Sequence, residues 1–304
     1  MDALIQSLVQ ANFAPERIAP QAPMAQYTTL RIGGPAEVMV NIHSADEIAV
    51  ALRAAKQADA PVTIIGNGSN LLVRDGGIRG LVLRISGGLN AIRREGDCLL
   101  VQAGASLAAV AAFARDEGLS GMAELGGIPG TVGGGVLMNA GAYGAELSQV
   151  VTQVEGVSLA DGRRVVYPAD RLDFSYRHSA LMDAGVVITQ ATLALTPGDP
   201  EAIRARMEEC AKARREKQPL NLPSAGSTFK RPEGRFAAKL IDDCGLRGLT
   251  VGGAQVSEKH AGFLVNLGGA TARDMLELMR QVEQRVFEQT GVQLEPEVRI
   301  LGED

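Results

Sequence analysis

The sequence predicts an α+β protein of two or three domains. One capped helix flanked by short apolar strands gives a β-α-β pattern near the start. The middle of the chain reads as short strands and turns broken by a single helix, and the last third is richer in helix and charge. The length of 304 residues fits two or three domains at about 150 residues each. Boundaries are expected near residues 90 and 200, giving spans 1–90, 91–200 (mainly antiparallel sheet) and 201–304.

The elements follow in chain order. Asp2 to Asn12 places Leu4, Leu8 and Ala11 on one helical face. Ala36 to Ile42 reads as a strand. Ser44-Ala45-Asp46-Glu47 has the spacing of a capping box, so a helix is expected from Ala45 to Gln57. Pro61 to Ile65 is a buried strand ending in a glycine-rich turn, with further strands at Leu71–Val73 and Leu81–Ile85. Ser106 starts a helix that stops at Gly118. Strands are expected at Val151–Leu159, Arg163–Tyr167 and Val186–Leu195. Asp199-Pro200 opens a helix to Lys217, by an acidic cap and a proline at the first turn. A short helix near 236–243 stops at Gly245, one from Ala272 to Gln289 stops at Gly291, and Val292–Leu301 reads as a closing strand.

Composition excludes several classes. Thirty-six glycines with 13 prolines are about 12%, against a usual 7%. Collagen periodicity is missing, and 46% hydrophobic residues is too many for a disordered chain. A net charge of −5 without a basic block argues against nucleic acid as a partner. Cys98, Cys210 and Cys244 are far apart and give neither a disulfide framework nor a metal cage. The N-terminus lacks a cationic segment before an apolar run, so no secretory signal is expected. Leu125 to Ala145 is uncharged over 21 residues, but eight are glycine, so it reads as a loop system and not as a membrane span. A cytoplasmic protein without membrane or obligatory protein partner is expected.

Two glycine-rich segments carry chemistry: Gly66-Asn67-Gly68-Ser69-Asn70, and Gly126 to Gly135. Neither is a Walker loop, and no dinucleotide fingerprint occurs. Glycine still lets backbone N–H groups approach a pyrophosphate, with Ser69, Asn70 and Thr131 as short donors. Tight turns are the competing role for one such loop. Two loops, with ten glycines between Gly118 and Gly144, favour a large phosphate-bearing ligand.

These residues also carry a resemblance. Thr29-Leu30-Arg31-Ile32-Gly33-Gly34-Pro35-Ala36, Gly66 to Leu72, Gly127-Ile128-Pro129-Gly130-Thr131-Val132-Gly133-Gly134 and Asn139-Ala140-Gly141-Ala142-Tyr143-Gly144 come in order. Tyr176-Arg177-His178-Ser179, Ser224 to Lys230 and Glu295-Pro296-Glu297-Val298-Arg299 follow. Together they resemble the UDP-N-acetylenolpyruvoylglucosamine reductase family from Thr29 to Leu301.

The resemblance implies a two-subdomain FAD-binding fold of the vanillyl-alcohol-oxidase (PCMH) type, followed by an α+β substrate domain. It implies non-covalent FAD and NADPH, and a UDP-sugar enolpyruvyl ether reduced in peptidoglycan precursor synthesis. Hydride then comes from flavin N5, the proton from Ser227, and Arg177 and Glu297 stabilise the intermediate. FAD contacts are expected from Arg31, Gly66, Asn67, Gly68, Ser69, Asn70, Leu71, Gly127, Ile128, Pro129, Gly130, Thr131, Gly133, Gly134, Asn139, Gly141 and Ala142.

Conjugate addition of hydride builds charge toward the carboxylate, so cations and a proton donor are needed. Arg177 suits a carboxylate because its donors form a planar fork. The residue pattern alone leaves Arg177 able to pair with Asp173, Ser227 to cap a turn, and Glu297 to pair with Arg299. Strand alternation would set Glu295, Glu297 and Arg299 on one face, opposite Val292, Leu294, Val298 and Ile300. Tyr176, Arg214, Lys217, Lys230, Arg235, Lys239 and His260 are the candidates for substrate contact, and one of the cations would support the Ser227 oxygen. The form of the family with a closing tyrosine loop is not expected, since 49 residues separate Arg177 from Ser227. Without a dinucleotide site of its own, NADPH would share the substrate cavity, which implies ping-pong kinetics. His43 and Cys98 lie outside the glycine motifs, so no covalent flavin link is expected. Another oxidoreductase on the same flavin fold, or a non-catalytic nucleotide-sugar binder, are the alternatives.

Overall fold

The computed structural model describes residues 1–304. The chain forms two compact units, each built from separated segments. The first holds Met1–Pro20, Val38–Asn67 and Gly80–Ala213; the second holds Gln21–Glu37, Gly68–Arg79 and Arg214–Asp304. This division cuts across the three contiguous spans expected from composition. The reason lies in strand pairing: Leu71–Val73 pairs in parallel with Arg299–Leu301, which draws an early segment into the C-terminal unit.

In the first unit, helix α1 (Asp2–Gln10) turns Leu4 and Leu8 into the core. Helix α2 (Ala45–Gln57) starts at Ser44, whose hydroxyl accepts from the Glu47 N–H at 3.2 Å. The expected capping box is half formed. Glu47 instead accepts from the His43 N–H (2.8 Å) and takes both Arg17 Nη1 (2.9 Å) and Nη2 (2.6 Å). Strand Val62–Ile65 pairs in parallel with Leu81–Arg84, within a sheet ordered Ile18–Pro23, Pro35–Asn41, Ile78–Arg84, Val62–Ile65.

The antiparallel sheet expected for the middle of the chain is present. Its order is Arg164–Pro168, Val151–Ser158, Val186–Ala194, Cys98–Gln102, Ile92–Glu95. Helix α3 (Leu107–Asp116) is capped by Ser106 and followed by Gly118 at φ 67°. Helix α4 (Val132–Leu137) lies inside the run expected to be loop. Its three glycines disfavour helix, but Thr131 caps it and Val132 and Val136 are fully buried, so packing overrides propensity. Helix α5 spans Pro200–Lys217, with Asp199 accepting from the Glu201 N–H at 3.1 Å. One continuous apolar core from Leu4 to Leu195 fills this unit.

The second unit has its own core, from Leu30 to Val298. A four-stranded sheet is ordered Ser224–Ser227, Phe263–Asn266, Ala254–Val256, Thr250–Val251. Helices α6 (Ala237–Asp243) and α7 (Ala272–Thr290) pack in the same core. The α7 N-terminus is doubly capped. Thr271 and Asp274 form a capping box, and Asp75 accepts from the N–H groups of Ala272 (2.8 Å) and Arg273 (3.0 Å). The closing strand is shorter than its apolar alternation suggested: only Arg299–Leu301 is strand. Pro296 cannot donate to a ladder, and Lys230 and Thr228 take the neighbouring backbone groups instead. No helix is long and apolar enough to cross a membrane.

Candidate active site

Three clusters of expected site residues form, two in the first unit and one in the second. The first cluster joins the glycine loops. The backbone of 130–133 zips against 103–107: Leu107 N–H donates to the Gly130 carbonyl (3.0 Å), Val132 N–H to Ala105 (2.9 Å) and Gly133 N–H to Ala103 (2.8 Å). This sets Thr131, which is 2% exposed, against Gly66. A Cβ on Gly66 would lie 2.6 Å from Thr131 Oγ1, so side chains are excluded where the two loops meet. Ser86 Oγ donates to the Gly66 carbonyl at 3.1 Å. Gly127 ends a single helical turn, and Ile128, Pro129 and Gly130 lead from it into α4. A junction of glycines free of side chains suits the close approach of a pyrophosphate-bearing group such as FAD.

The second cluster presents Arg177. Ser175 and His178 exchange both backbone hydrogen bonds at 3.2 Å, leaving Tyr176 and Arg177 as a two-residue turn. Arg177 has φ 55°, a conformation uncommon for side-chain-bearing residues. Its guanidinium carbon lies 5.0 Å from the Tyr176 ring centroid, a cation–π distance. Gly141 and Ala142 pair with Glu146 and Ala145, with Tyr143 (φ 53°) and Gly144 (φ 86°) at the tip. Asn139, 1% exposed, ties these segments together. Its Nδ2 donates to Glu146 Oε2 (3.0 Å) and the Ser175 carbonyl (3.1 Å), and its Oδ1 accepts from the Ser148 N–H (2.9 Å).

The third cluster, in the second unit, pairs the segments that carry Ser227 and Glu297. Ser227 is exposed at the end of its strand, just after a bulge at Gly226 with φ 78°. The Glu297 N–H donates to the carbonyl of Thr228 at 2.8 Å, and Lys230 N–H donates to Glu295 at 2.9 Å. Asn70 Nδ2 donates to the Glu297 carbonyl at 3.0 Å, and Arg299 N–H donates to the Asn70 carbonyl at 2.9 Å. Asn70, expected as a phosphate donor, thus gives one Nδ2 hydrogen to the backbone of Glu297.

Thr29 Oγ1 donates to the Ser224 carbonyl (2.7 Å), and Thr29 N–H to Gly68 (3.2 Å). Arg31 sits in a left-handed turn at φ 55°. Asn266, absent from the sequence-based candidates, holds that turn by donating to the carbonyls of Leu30 (3.1 Å) and Arg31 (3.4 Å). A polar residue ending the apolar run Phe263–Val265 was its only signal.

The cations expected to meet substrate are engaged in several different contacts. Lys239 pairs with Asp243 one turn along α6, and Lys230 pairs with Glu295 at 3.3 Å. His260 Nδ1 accepts from the Gly262 N–H (3.2 Å), and its ring stands edge-on to Phe263 at 4.9 Å. Burial pushes its pKa below the ordinary histidine value against the pull of a backbone hydrogen bond, and the charge of Arg247 adds to the lowering. This lowering disfavours the charged form of His260, one of the candidates for the diphosphate. A groove of about 750 Å³ lined by Ala49, Arg53, Lys56, Pro61 and Leu159 contains none of the expected site residues.

The sequence profile of the FAD binding domain matches residues 36–167. The profile of the UDP-N-acetylenolpyruvoylglucosamine reductase C-terminal domain matches residues 218–301. Fold and profiles define a FAD-dependent oxidoreductase of the α+β class. A UDP-N-acetylenolpyruvoylglucosamine reductase from Pediococcus pentosaceus is 47% identical over 299 residues, 98% of this chain and 99% of its own. One from Agathobacter rectalis is 50% identical over 293 residues, 92% and 93% of the two chains. The crystal structure of the reductase from Thermus caldophilus superposes with a TM-score of 0.80 at 38% identity, covering 94% of this chain and 98% of that one. The chain belongs to the UDP-N-acetylenolpyruvoylglucosamine reductase family.

Proposed function

We propose that this enzyme reduces the enolpyruvyl ether of UDP-N-acetylglucosamine to UDP-N-acetylmuramate, a step of peptidoglycan precursor synthesis in the cytoplasm, with NADPH as reductant. The observation that carries this reading is the pairing of the Ser227 and Glu297 segments through the Glu297 N–H and the Thr228 carbonyl, in a chain so similar to named reductases. Residues 1–200 are read as the FAD-binding part and 201–304 as the substrate part. FAD is held non-covalently by the Gly66–Asn67 turn and the Gly127–Gly134 segment, with Arg31 and Gly68–Leu71 as further contacts. When bound, FAD would supply the hydride-transfer chemistry that links NADPH to the double bond.

The chain's own residues do the rest. Arg177 holds the substrate carboxylate, where its fork of donors offsets the negative charge that builds during reduction. Ser227 gives its hydroxyl proton to the α-carbon. An alcohol is a weak acid, so a nearby cation must steady the resulting oxygen. Lys230 and Lys239 already have carboxylate partners, which favours Lys217 or Arg235 for that task. Glu297 orients the reacting group beside Ser227. Arg214 and Tyr176 complete the proposed substrate contacts.

A visible spectrum of the purified protein tests the whole reading. NADPH added anaerobically bleaches the flavin band, and the enolpyruvyl substrate restores it. A flavin that bleaches but is restored by oxygen alone would point to another oxidoreductase of this fold. A protein without a flavin band would point to a nucleotide-sugar binder.

A further inference from the structure

The Ser175–His178 turn is anchored at both ends by the segment that leaves the glycine-rich loops. At one end, Asn139 Nδ2 donates to the Ser175 carbonyl at 3.1 Å. At the other, Ser179 Oγ donates to the carbonyl of Leu137, the last residue of α4, at 2.8 Å. Ser179 is fully buried and Asn139 is 1% exposed. Asn139 itself is held in place by Glu146 Oε2 and the Ser148 N–H. Both amide hydrogens of Asn139 are therefore committed inside the protein. A primary amide has two donor hydrogens, so none is left for a cofactor.

Arg177 meanwhile occupies a sparsely populated backbone region at φ 55°. Such a conformation persists only where its surroundings over-determine it. We infer that Asn139 is a positioning residue: with Ser179, it fixes the turn that presents Arg177 and does not itself bind FAD. The inference rests on the proposed role of Arg177 toward the substrate carboxylate. It also gives α4 a task, since Thr131 at its start sits against Gly66 while Leu137 at its end holds the arginine turn. The arginine is thus built onto the same short helix that closes the glycine cradle.

The test compares Asn139→Ala, Ser179→Ala and Arg177→Ala with the parent holoenzyme. FAD content, flavin reduction by NADPH and flavin reoxidation by the enolpyruvyl substrate are measured separately. Asn139→Ala is expected to keep FAD and its reduction by NADPH, while reoxidation slows on the order of 100-fold through misplacement of the arginine. Trypsin provides a readout apart from turnover. Cleavage of the Arg177–His178 bond, followed by fragment mass, should speed up several-fold as the turn opens, while cleavage after the exposed Arg163 stays constant.

If Asn139→Ala does not fold, Ser179→Ala releases the other end and should give the same pattern. Loss of FAD with unchanged cleavage at Arg177 would return Asn139 to the cofactor site and overturn the inference. Unchanged reoxidation in both anchor variants would also overturn it. Unchanged reoxidation in Arg177→Ala would instead sink the role of Arg177, while the trypsin result would still decide whether Asn139 holds the turn.

Discussion

Ser227, the proposed proton donor, is exposed at the end of its strand. The left-handed Gly226 breaks the register of the strand, so the residue opposite Phe263 is Ser227, one position later than regular antiparallel pairing from Ser224 would give. The next residue, Thr228, is 5% exposed and turns its hydroxyl inward to accept from the Leu264 N–H at 3.2 Å. Two neighbouring hydroxyls thus have opposite fates: one braces the sheet, the other faces solvent. Ser227→Ala removes no core contact, so its melting temperature should match the parent. Rapid-mixing absorbance should show normal flavin reduction by NADPH and reoxidation by substrate slowed by about 10²–10⁴-fold, the usual loss of a general acid. Equal reoxidation in variant and parent would rule out Ser227 as the proton source.

At the scale of elements, capped and patterned segments were legible and segments fixed by tertiary bonds were not. Helices α2, α3 and α5 begin where Ser44, Ser106 and Asp199 stand, because those side chains satisfy amides at the helix start. Helix α4 was missed because its glycines carry no apolar period, and its stability comes from the burial of Val132 and Val136. The segment before Arg299 reads as strand but Pro296 interrupts it. The motifs located Asn70 and Asn139 but not their hydrogen-bond partners, which lie on distant segments: 227 residues away for the Asn70 bond and 36 for the Asn139–Ser175 bond.

Glu47 offers a pH test at this scale. Burial pushes its carboxyl up, but the Arg17 fork and the His43 N–H outweigh it and hold the folded pKa below the ordinary carboxylate value. A lowered folded pKa stabilises above the unfolded value, about 4.3, and that contribution is lost as pH falls through the folded value. Both side chains are less than a third exposed, at 23% and 27%. Glu47→Gln should therefore cost about 1.5–3 kcal/mol at pH 7. Chemical denaturation at a series of pH values should show the gap between variant and parent closing below about pH 4. A gap that stays constant down to pH 3 would mean that the carboxylate charge is not its source.

For the whole molecule, the consequential feature is that the second unit is assembled from three separate stretches of chain. Its C-terminal residues are stitched to the 71–79 segment at several points. Arg299–Leu301 pair with Leu71–Val73, Gly76 N–H donates to the Glu303 carbonyl (2.9 Å), and Glu303 N–H donates to Gly77 (3.0 Å). Arg74 reaches Asp304 at 2.5 Å and Arg79 pairs with Glu303, both at the surface. Exposed ion pairs add little to stability, so the backbone ladder is the main fastening.

Without residues 299–304 the ladder to 71–73 is lost, and so is the Arg299 N–H that holds the Asn70 carbonyl. Asn70 in turn holds the Glu297 carbonyl, so the truncation should loosen the Glu297 segment from a distance. Local opening follows such cooperative units. Hydrogen exchange should then accelerate in 71–79 and 295–298, while the Val151–Ser158 and Val186–Ala194 strands, which pair within the first unit's sheet, keep their protection. Substrate-driven flavin reoxidation should fall in parallel. If exchange instead rose uniformly over both units, the second unit would not be a separate cooperative body. If 71–79 stayed protected, the ladder would not be what holds Glu297 in place.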